Sequence, residues 1–225
     1  MTKLKGRQKA KARKQKRVVA AASKQSYKKK MLSMILKYDN EALKKKCEDV
    51  AVGTDVSKTI KTMKKVLGCT ENGVGLAASQ IGILDRIIVV REDASKYKMT
   101  AMINPEIVSH SEEKKYGIEG CLSYSKTFAP IERYVEIEVK YFDENWKEQT
   151  KKYREGEIEG VIVQHEIEHL LEGNCQIHDW WEDPDVMQAV LQKVWDKKYN
   201  LPSDDNVVES EDLQKEKAEA VSAVE

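Results

Sequence analysis

The sequence predicts an α+β fold in a single domain, with mixed, mainly antiparallel strands packed around a central helix. Three observations point there. Segments of helical period and segments of alternating period are mixed without the regular strand-helix alternation of a parallel sheet. "VEIEVKYFDENWKEQTKKY" reads as two strands joined by a turn, and "EGEIEGVIVQHEIEHLL" returns to helical spacing late in the chain. A chain of 225 residues is long enough for one real core and short for two independent ones.

Taken in order, residues 1–30 hold 13 Lys or Arg and no Asp or Glu. Such a segment buries too little apolar surface to offset its loss of chain entropy, so it reads as a disordered or conditionally helical arm. Its charge suits either simple solvation or an anionic partner, most simply ribosomal or other RNA. "SKTIKTMKKVLGC" spaces Ile60, Met63, Val66 and Leu67 at helical intervals, with Gly68 placed to stop the helix. "RIIVVRED" reads as a buried strand, and "KMTAMINPEIVSH" as another, broken at Asn104-Pro105 where proline cannot donate to a ladder. A strand running from Ile107 towards Tyr116 is expected to lead into Cys121. In the hairpin, Val135, Ile137 and Val139 alternate with Glu136, Glu138 and Lys140, and the chain turns at Asp143 to Asn145. From Gly156 to Leu171, Ile158, Val161, Ile162 and His165 share one helical face, with Gly173 placed as the stop. Pro184 to Tyr199 reads as a last short helix. Residues 201–225 carry eight acidic residues against two lysines and read as an unstructured tail. The expected organisation is therefore a basic arm (1–30), one folded domain (31–200) and an acidic tail (201–225).

The overall formal charge of +1 hides this polarity of the ends. No run of roughly 18 apolar residues is present, which excludes a helical membrane span. Four cysteines without paired spacing do not make a disulfide framework. A cytoplasmic, monomeric protein is expected, or an organellar one if the basic arm is a transit peptide.

The late helix carries the chemistry. His165 and His169 stand four residues apart, so they project side by side and suit one ion at roughly 2.0 to 2.1 Å from each imidazole nitrogen. Glu166 points about a quarter turn away, towards a water activated by that ion, where a general base belongs. The same letters also fit a solvated face of Glu166, Glu168 and Glu172 with packed histidines. A third ligand decides between them, and "GIEGCLSYS" offers Cys121, a soft thiolate donor. Alone, a cysteine there reads equally as a small buried side chain. Cys175 is the competitor, but it lies beyond Gly173 with no turn in the sequence to aim it back at the histidines. His110 and His178 read as strand or loop residues. Upstream, "NGVGLAASQIG" combines small residues, which let a backbone come close, with Gln80, an amide donor suited to an oxyanion. The segment lacks the Lys-Ser/Thr of a P-loop and the glycine spacing of a dinucleotide fingerprint.

"GVGLAASQ" (Gly73 to Gln80), "EGCLS" (Glu119 to Ser123) and "QHEIEHL" (Gln164 to Leu170), in that order and spacing, resemble the three motifs of peptide deformylases. The likeness extends to "ILKYDNEALKKKCEDV" and "MINPEI" and covers about Met34 to Trp180. The resemblance implies hydrolytic removal of the formyl group from the initiator methionine of new polypeptides, with release of formate. It implies Cys121, His165 and His169 as ligands of iron(II), with zinc or nickel as substitutes, and Glu166 as general acid/base. It also implies Gln80 and the Leu122 N–H as oxyanion donors, and Gly73, Val74, Gly75, Glu119 and Ile162 as substrate contacts. The substrates implied are N-formylmethionyl peptides.

Some positions depart from the family pattern. Glu168 stands where aspartate is usual, with Arg133 as its expected partner. Ser125 replaces the usual proline after "EGCLS", and "YDNEAL" lacks the usual prolines. Two other functions fit parts of the sequence. A zinc metallopeptidase on the same helix would need a downstream Glu or His as third ligand. A catalytically inactive ribosome-associated binding protein would use the basic arm but has no need of Glu166 and Gln80.

Overall fold

A computed structural model describes residues 21–92, 98–124, 128–171 and 175–177. The predicted helix at Pro184 to Tyr199, the stop at Gly173, His178, Ser125 and the acidic tail lie outside the described residues.

The helical elements are α1 (21–32), α2 (Ser57–Cys69) and α3 (Ile158–Glu168), with short 3-10 turns at Glu41–Lys44 and Ala78–Ile81. The strands are β1 (Gly75–Ala77), β2 (Ile87–Arg91), β3 (Met99–His110), β4 (Lys114–Gly120), β5 (Phe128–Tyr134), β6 (Ile137–Phe142) and β7 (Glu148–Tyr153). Five form one sheet in the order β1-β2-β3-β6-β7, and β4 pairs with β5 in a separate ribbon. Every ladder between these strands is antiparallel, as the α+β reading expects. Among the described residues no helix is long and apolar enough to cross a membrane.

The large sheet is covered on both faces, which explains why β2 is a continuous apolar run. Ile87 and Val89 join Leu76, Ala101 and Ile103 against Ile60, Met63, Val66 and Leu67 of α2. Ile88 and Val90, one residue out of phase, join Ala77, Met102, Ile137 and Val139 against Ile162, Val163 and Ile167 of α3. Successive strand residues point to opposite faces, so one short strand serves two cores.

Three local expectations need correction. Helix α2 runs through Gly68 to Cys69; it stops because the Thr70 hydroxyl donates to Leu67 O at 2.7 Å and the Thr70 N–H to the same carbonyl at 3.1 Å. Strand β3 is not broken at Asn104-Pro105; its register shifts between Ile103 and Glu106 instead. Asn104 takes a left-handed φ of 49°, and its side-chain amide pairs with Val50, accepting from N at 2.9 Å and donating to O at 2.8 Å. Pro105 thus sits in a bulge, where its missing N–H costs no ladder bond. The chain between Ile107 and Tyr116 is two strands, β3 ending at His110 and β4 beginning at Lys114. Residues 21–30, read as part of a disordered or conditionally helical arm, are helical and belong to α1, which is exposed along most of its length and paired through Lys28 to Glu71 at 2.7 Å. The hairpin appears as expected. Its turn extends to Lys147, held by Asp143 Oδ1 accepting from the Asn145 and Lys147 N–H groups at 2.8 and 3.0 Å.

Cys47 is fully buried, and its N–H donates to Leu170 O at 3.0 Å just past α3. Burial pushes the Cys47 thiol up to about 11 from its ordinary value of 9.0, against a smaller opposing pull from Arg86. The unfolded chain therefore releases this proton first, and stability falls as pH rises through the window between those values. Cys47→Ala is expected to flatten the decline between about pH 9 and pH 11 by one proton's worth of slope, read from urea midpoints at a series of pH values.

Candidate metal centre and substrate groove

Helix α3 does not present a single apolar face. Ile158 is 64% exposed at its start, whereas Gly160 and every residue from Ile162 to Ile167 are buried, so the helix is enclosed nearly all round. Its polar residues therefore need partners. Gln164 pins α3 to β5: its Oε1 accepts from the Tyr134 N–H at 3.0 Å and its Nε2 donates to Tyr134 O at 3.1 Å. His165 lies in the last turn. His169 is the capping residue, still right-handed (φ −62°, ψ −12°), and this keeps the two imidazoles side by side with ring centroids 5.2 Å apart.

Cys121 follows directly on β4 and starts a turn in which the Tyr124 N–H donates to its carbonyl at 3.2 Å. Glycine at the preceding position leaves room for the Phe128 ring, which a Cβ at Gly120 would meet at 2.9 Å across the ribbon. One donor atom from each of Cys121, His165 and His169 lies within 4.8 Å of the others, and Cys121 Sγ is 3.2 Å from His169 Nε2. The convergence expected from the sequence is thus present, and among the described residues it is the one such cluster.

The electrostatics suit a cation. His165 Nδ1 meets Glu119 Oε2 at 2.8 Å; a carboxylate only accepts, so Nδ1 carries the proton and Nε2 is left to face the other donors. Burial alone would lower the His165 pKa, but hydrogen bonds with Cys121 and Glu119 outweigh it and raise it. Burial would raise the Cys121 thiol; a hydrogen bond from Cys175, the charge of His169 and further bonds from both histidines bring it well below its ordinary value, towards the thiolate a metal takes. Burial pushes Glu166 up to about 7 against the pull of His165 and His169, and its Oε2 is buried without a hydrogen-bond partner. A soft thiolate, two imidazoles and an orphaned carboxylate oxygen beside them fit a transition-metal ion with an activated water.

A groove of about 410 Å³ opens over this cluster, lined by Gly73, Val74, Gly75, Gln80, Cys121, Leu122, His165 and Glu166 among others. A larger recess of about 550 Å³ around Arg86 and Lys140, and a smaller one of about 240 Å³ between β4–β5 and α3, contain none of the sequence-derived site residues. Gln80, in the 3-10 turn after β1, accepts from the Ala77 N–H at 2.8 Å and turns its Nε2 to Ser123 Oγ at 3.2 Å and Cys121 Sγ at 3.4 Å. The turn is tied to α3 by the Ser79 hydroxyl, which donates to His169 O at 2.8 Å.

Two expected substrate contacts stand elsewhere. Glu119 does not face the groove: Arg133 Nε and Nη2 donate to its two oxygens at 2.8 Å each, and His165 shares Oε2. Ile162 packs in the core beneath α3 and is 8% exposed. Cys175, for which the sequence shows no turn to aim it at the histidines, lies beside Cys121 after all, and Lys37, which sequence reasoning passed over, donates from Nζ to Leu122 O at 3.1 Å. Neither carries a local signal, since both contacts join segments distant in sequence. The expected Arg133–Glu168 pair is present, so Arg133 binds carboxylates from both β4 and α3.

A soft three-donor centre, a buried carboxylate with an unpartnered oxygen beside it and an open groove fit a metal-dependent hydrolase. The comparisons with known proteins narrow the class. A family model described as polypeptide deformylase matches residues 32–180. Peptide deformylase 1 of Vibrio vulnificus is 36% identical over 156 residues, covering 69% of this chain and 86% of that protein. The peptide deformylase of Brachyspira hyodysenteriae is 38% identical over 150 residues, covering 62% of this chain and 76% of its own length. Among solved structures, a peptide deformylase from Legionella pneumophila superposes with a TM-score of 0.60 at 28% identity, over 74% of this chain and 95% of that one. The chain belongs to the peptide deformylase family, metal-dependent hydrolases that remove the N-formyl group from nascent polypeptides. The third donor comes from Cys121 upstream and not from a downstream Glu or His, so the metallopeptidase alternative is not favoured.

Two predictions follow from the geometry. A Cβ on Gly75 would lie 2.7 Å from Cγ and 2.8 Å from Cδ of Glu166, so Gly75→Ala must displace the base. It is expected to lower formate release by on the order of 10²-fold, the cost of a misplacement near 1 Å, with circular dichroism unchanged. Glu119→Gln keeps the shape but weakens the acceptor that orients His165; metal affinity is expected to fall by roughly 10- to 100-fold in a chelator competition.

Proposed function

We propose that Cys121, His165 and His169 hold a divalent cation, iron(II) in the cell with zinc or nickel as substitutes, and that Glu166 is the general acid/base of deformylation. The observation that carries the reading is the buried, unpartnered Glu166 Oε2 beside the three donors, on a carboxyl whose pKa is pushed up to about 7 by burial. A cation held by these donors would supply Lewis acidity, acidifying a water molecule and polarising the formyl carbonyl.

Glu166 takes the proton from that water as its oxygen bonds to the formyl carbon, and later returns the proton to the departing amine as the C–N bond breaks. Gln80 Nε2 and the Leu122 N–H donate to the oxygen on which negative charge develops. The Gln80 amide is pre-aimed, because its own oxygen is occupied by the Ala77 N–H. Gly73, Val74 and Gly75 line the groove and lead into β1, which pairs with β2 on one side only; an N-formylmethionyl peptide in extended form fits along its other edge.

The wider reading is a monomer acting in the cytoplasm, its basic N-terminal arm drawn to ribosomal RNA. The 13 Lys or Arg in residues 1–30, with no acidic residue among them, support that attraction through counterion release.

Anaerobic purification with metal analysis and a formate-release assay tests the catalytic roles. Glu166→Ala is expected to keep its metal and release no formate. Gln80→Ala is expected to keep its metal and lose on the order of 10² to 10³ in rate. Loss of metal in either variant would contradict the assigned role.

A further inference from the structure

Cys175 is 3% exposed, in a small apolar cluster with Tyr124, Ala129, Ile131 and Ile177, and Cys121 packs against that cluster. The two cysteines, 54 residues apart in sequence, are thus brought into one packed cluster. The other two cysteines are elsewhere: Cys47 in the core beneath α3, Cys69 at the end of α2. The two neighbouring sulfurs differ in access. Cys121 lines the groove, whereas Cys175 is sealed behind it. That asymmetry suits an exposed thiol that is oxidised first and a protected thiol that resolves it.

We propose that Cys121 and Cys175 form a reversible redox pair, in which a peroxide oxidises the groove-facing sulfur and the buried thiol captures it as an intramolecular disulfide. In the first step the Cys121 thiolate attacks one oxygen of hydrogen peroxide. The O–O bond breaks, Cys121 becomes a sulfenic acid, and with one proton the second oxygen leaves as water. In the second step the Cys175 sulfur attacks the sulfenic sulfur, its proton joins the departing hydroxyl as water, and the S–S bond forms. Two electrons have passed from the thiol pair to the peroxide. A dithiol reverses the change by exchange. The S–S bond is ~2.05 Å long, and side chains packed in one cluster need only a short movement to reach it. Without Cys175 the sulfenic acid would continue to the sulfinic and sulfonic acids, which dithiols do not reverse. The disulfide chemistry stands independently of the hydrolytic reading. Its consequence, release of the cation when one of three donors is withdrawn, rests on that reading.

The test exposes metal-free and nickel-loaded full-length protein to graded hydrogen peroxide, followed by alkylation, intact mass and non-reducing peptide mapping. In wild type the expected product lacks two hydrogen atoms, maps to a Cys121–Cys175 cross-link and reverts with dithiothreitol. Nickel should be lost on cross-linking and rebound after reduction. Cys175→Ser and Cys175→Ala should instead accumulate Cys121 with two or three added oxygens, not restored by dithiothreitol, and Cys47→Ser and Cys69→Ser should leave the cross-link intact. Over-oxidation of Cys121 in wild type as fast as in Cys175→Ser, or a cross-link joining other cysteines, would overturn the proposal. Absence of formate release from untreated, metal-loaded protein would count against the hydrolytic reading alone.

Discussion

The buried guanidinium of Arg133 is the point on which the centre depends. It comes from β5, takes both oxygens of Glu119 from β4, and pairs with Glu168 from α3, so one side chain ties the β4–β5 ribbon to the helix that carries the histidines. Burial works to raise the Glu119 pKa, but the bonds from Arg133 and His165 outweigh it and hold the carboxyl ionised below its ordinary range. That fixed negative charge sets the His165 tautomer, and the tautomer decides which nitrogen faces the cation. Truncating Arg133 would strand buried carboxylates without compensation, a cost of about 3–5 kcal/mol by comparison with other broken buried pairs.

Around this anchor the fold solves a conflict between burial and chemistry. The site collects a thiol, two imidazoles and a carboxylate with one unpartnered oxygen, all groups that cost free energy to desolvate. The two apolar layers, α2 on one face of the sheet and α3 on the other, offset that cost away from the groove. Ties such as the Ser79 hydroxyl on His169 O and the Gln164 clamp on Tyr134 carry the rigidity of those layers to the reactive atoms. Beside Glu166 the chain gives up a side chain, at Gly75, which leaves the carboxylate its space.

Much of this was legible in the sequence because it is written in short periods. The apolar spacing of α2, the alternation of β6 and the four-residue spacing of the histidines each report a local geometry that packing then uses. What was not legible depends on partners distant in sequence. The bulge at Asn104 exists because its amide finds Val50, 54 residues away. The all-round burial of α3 is hidden by its polar letters, which are satisfied by Tyr134, Glu119 and Arg133 on other elements. Glu119 reads as a groove residue until Arg133 claims it, and Ile162 until the core does. Cys175 looked unable to reach the site, because the path back from α3 is not encoded in the residues beside it.

The two margins of the five-stranded sheet treat foreign chains differently. β7 ends one side with "EQTKKY", whose outward charges repel a second copy laid alongside. The other side is β1, with just the residues Gly75 to Ala77 in ladder register, too brief to nucleate stacking between molecules. Neither margin offers a long apolar strand for pairing, and the apolar strands β2 and β3 lie between them.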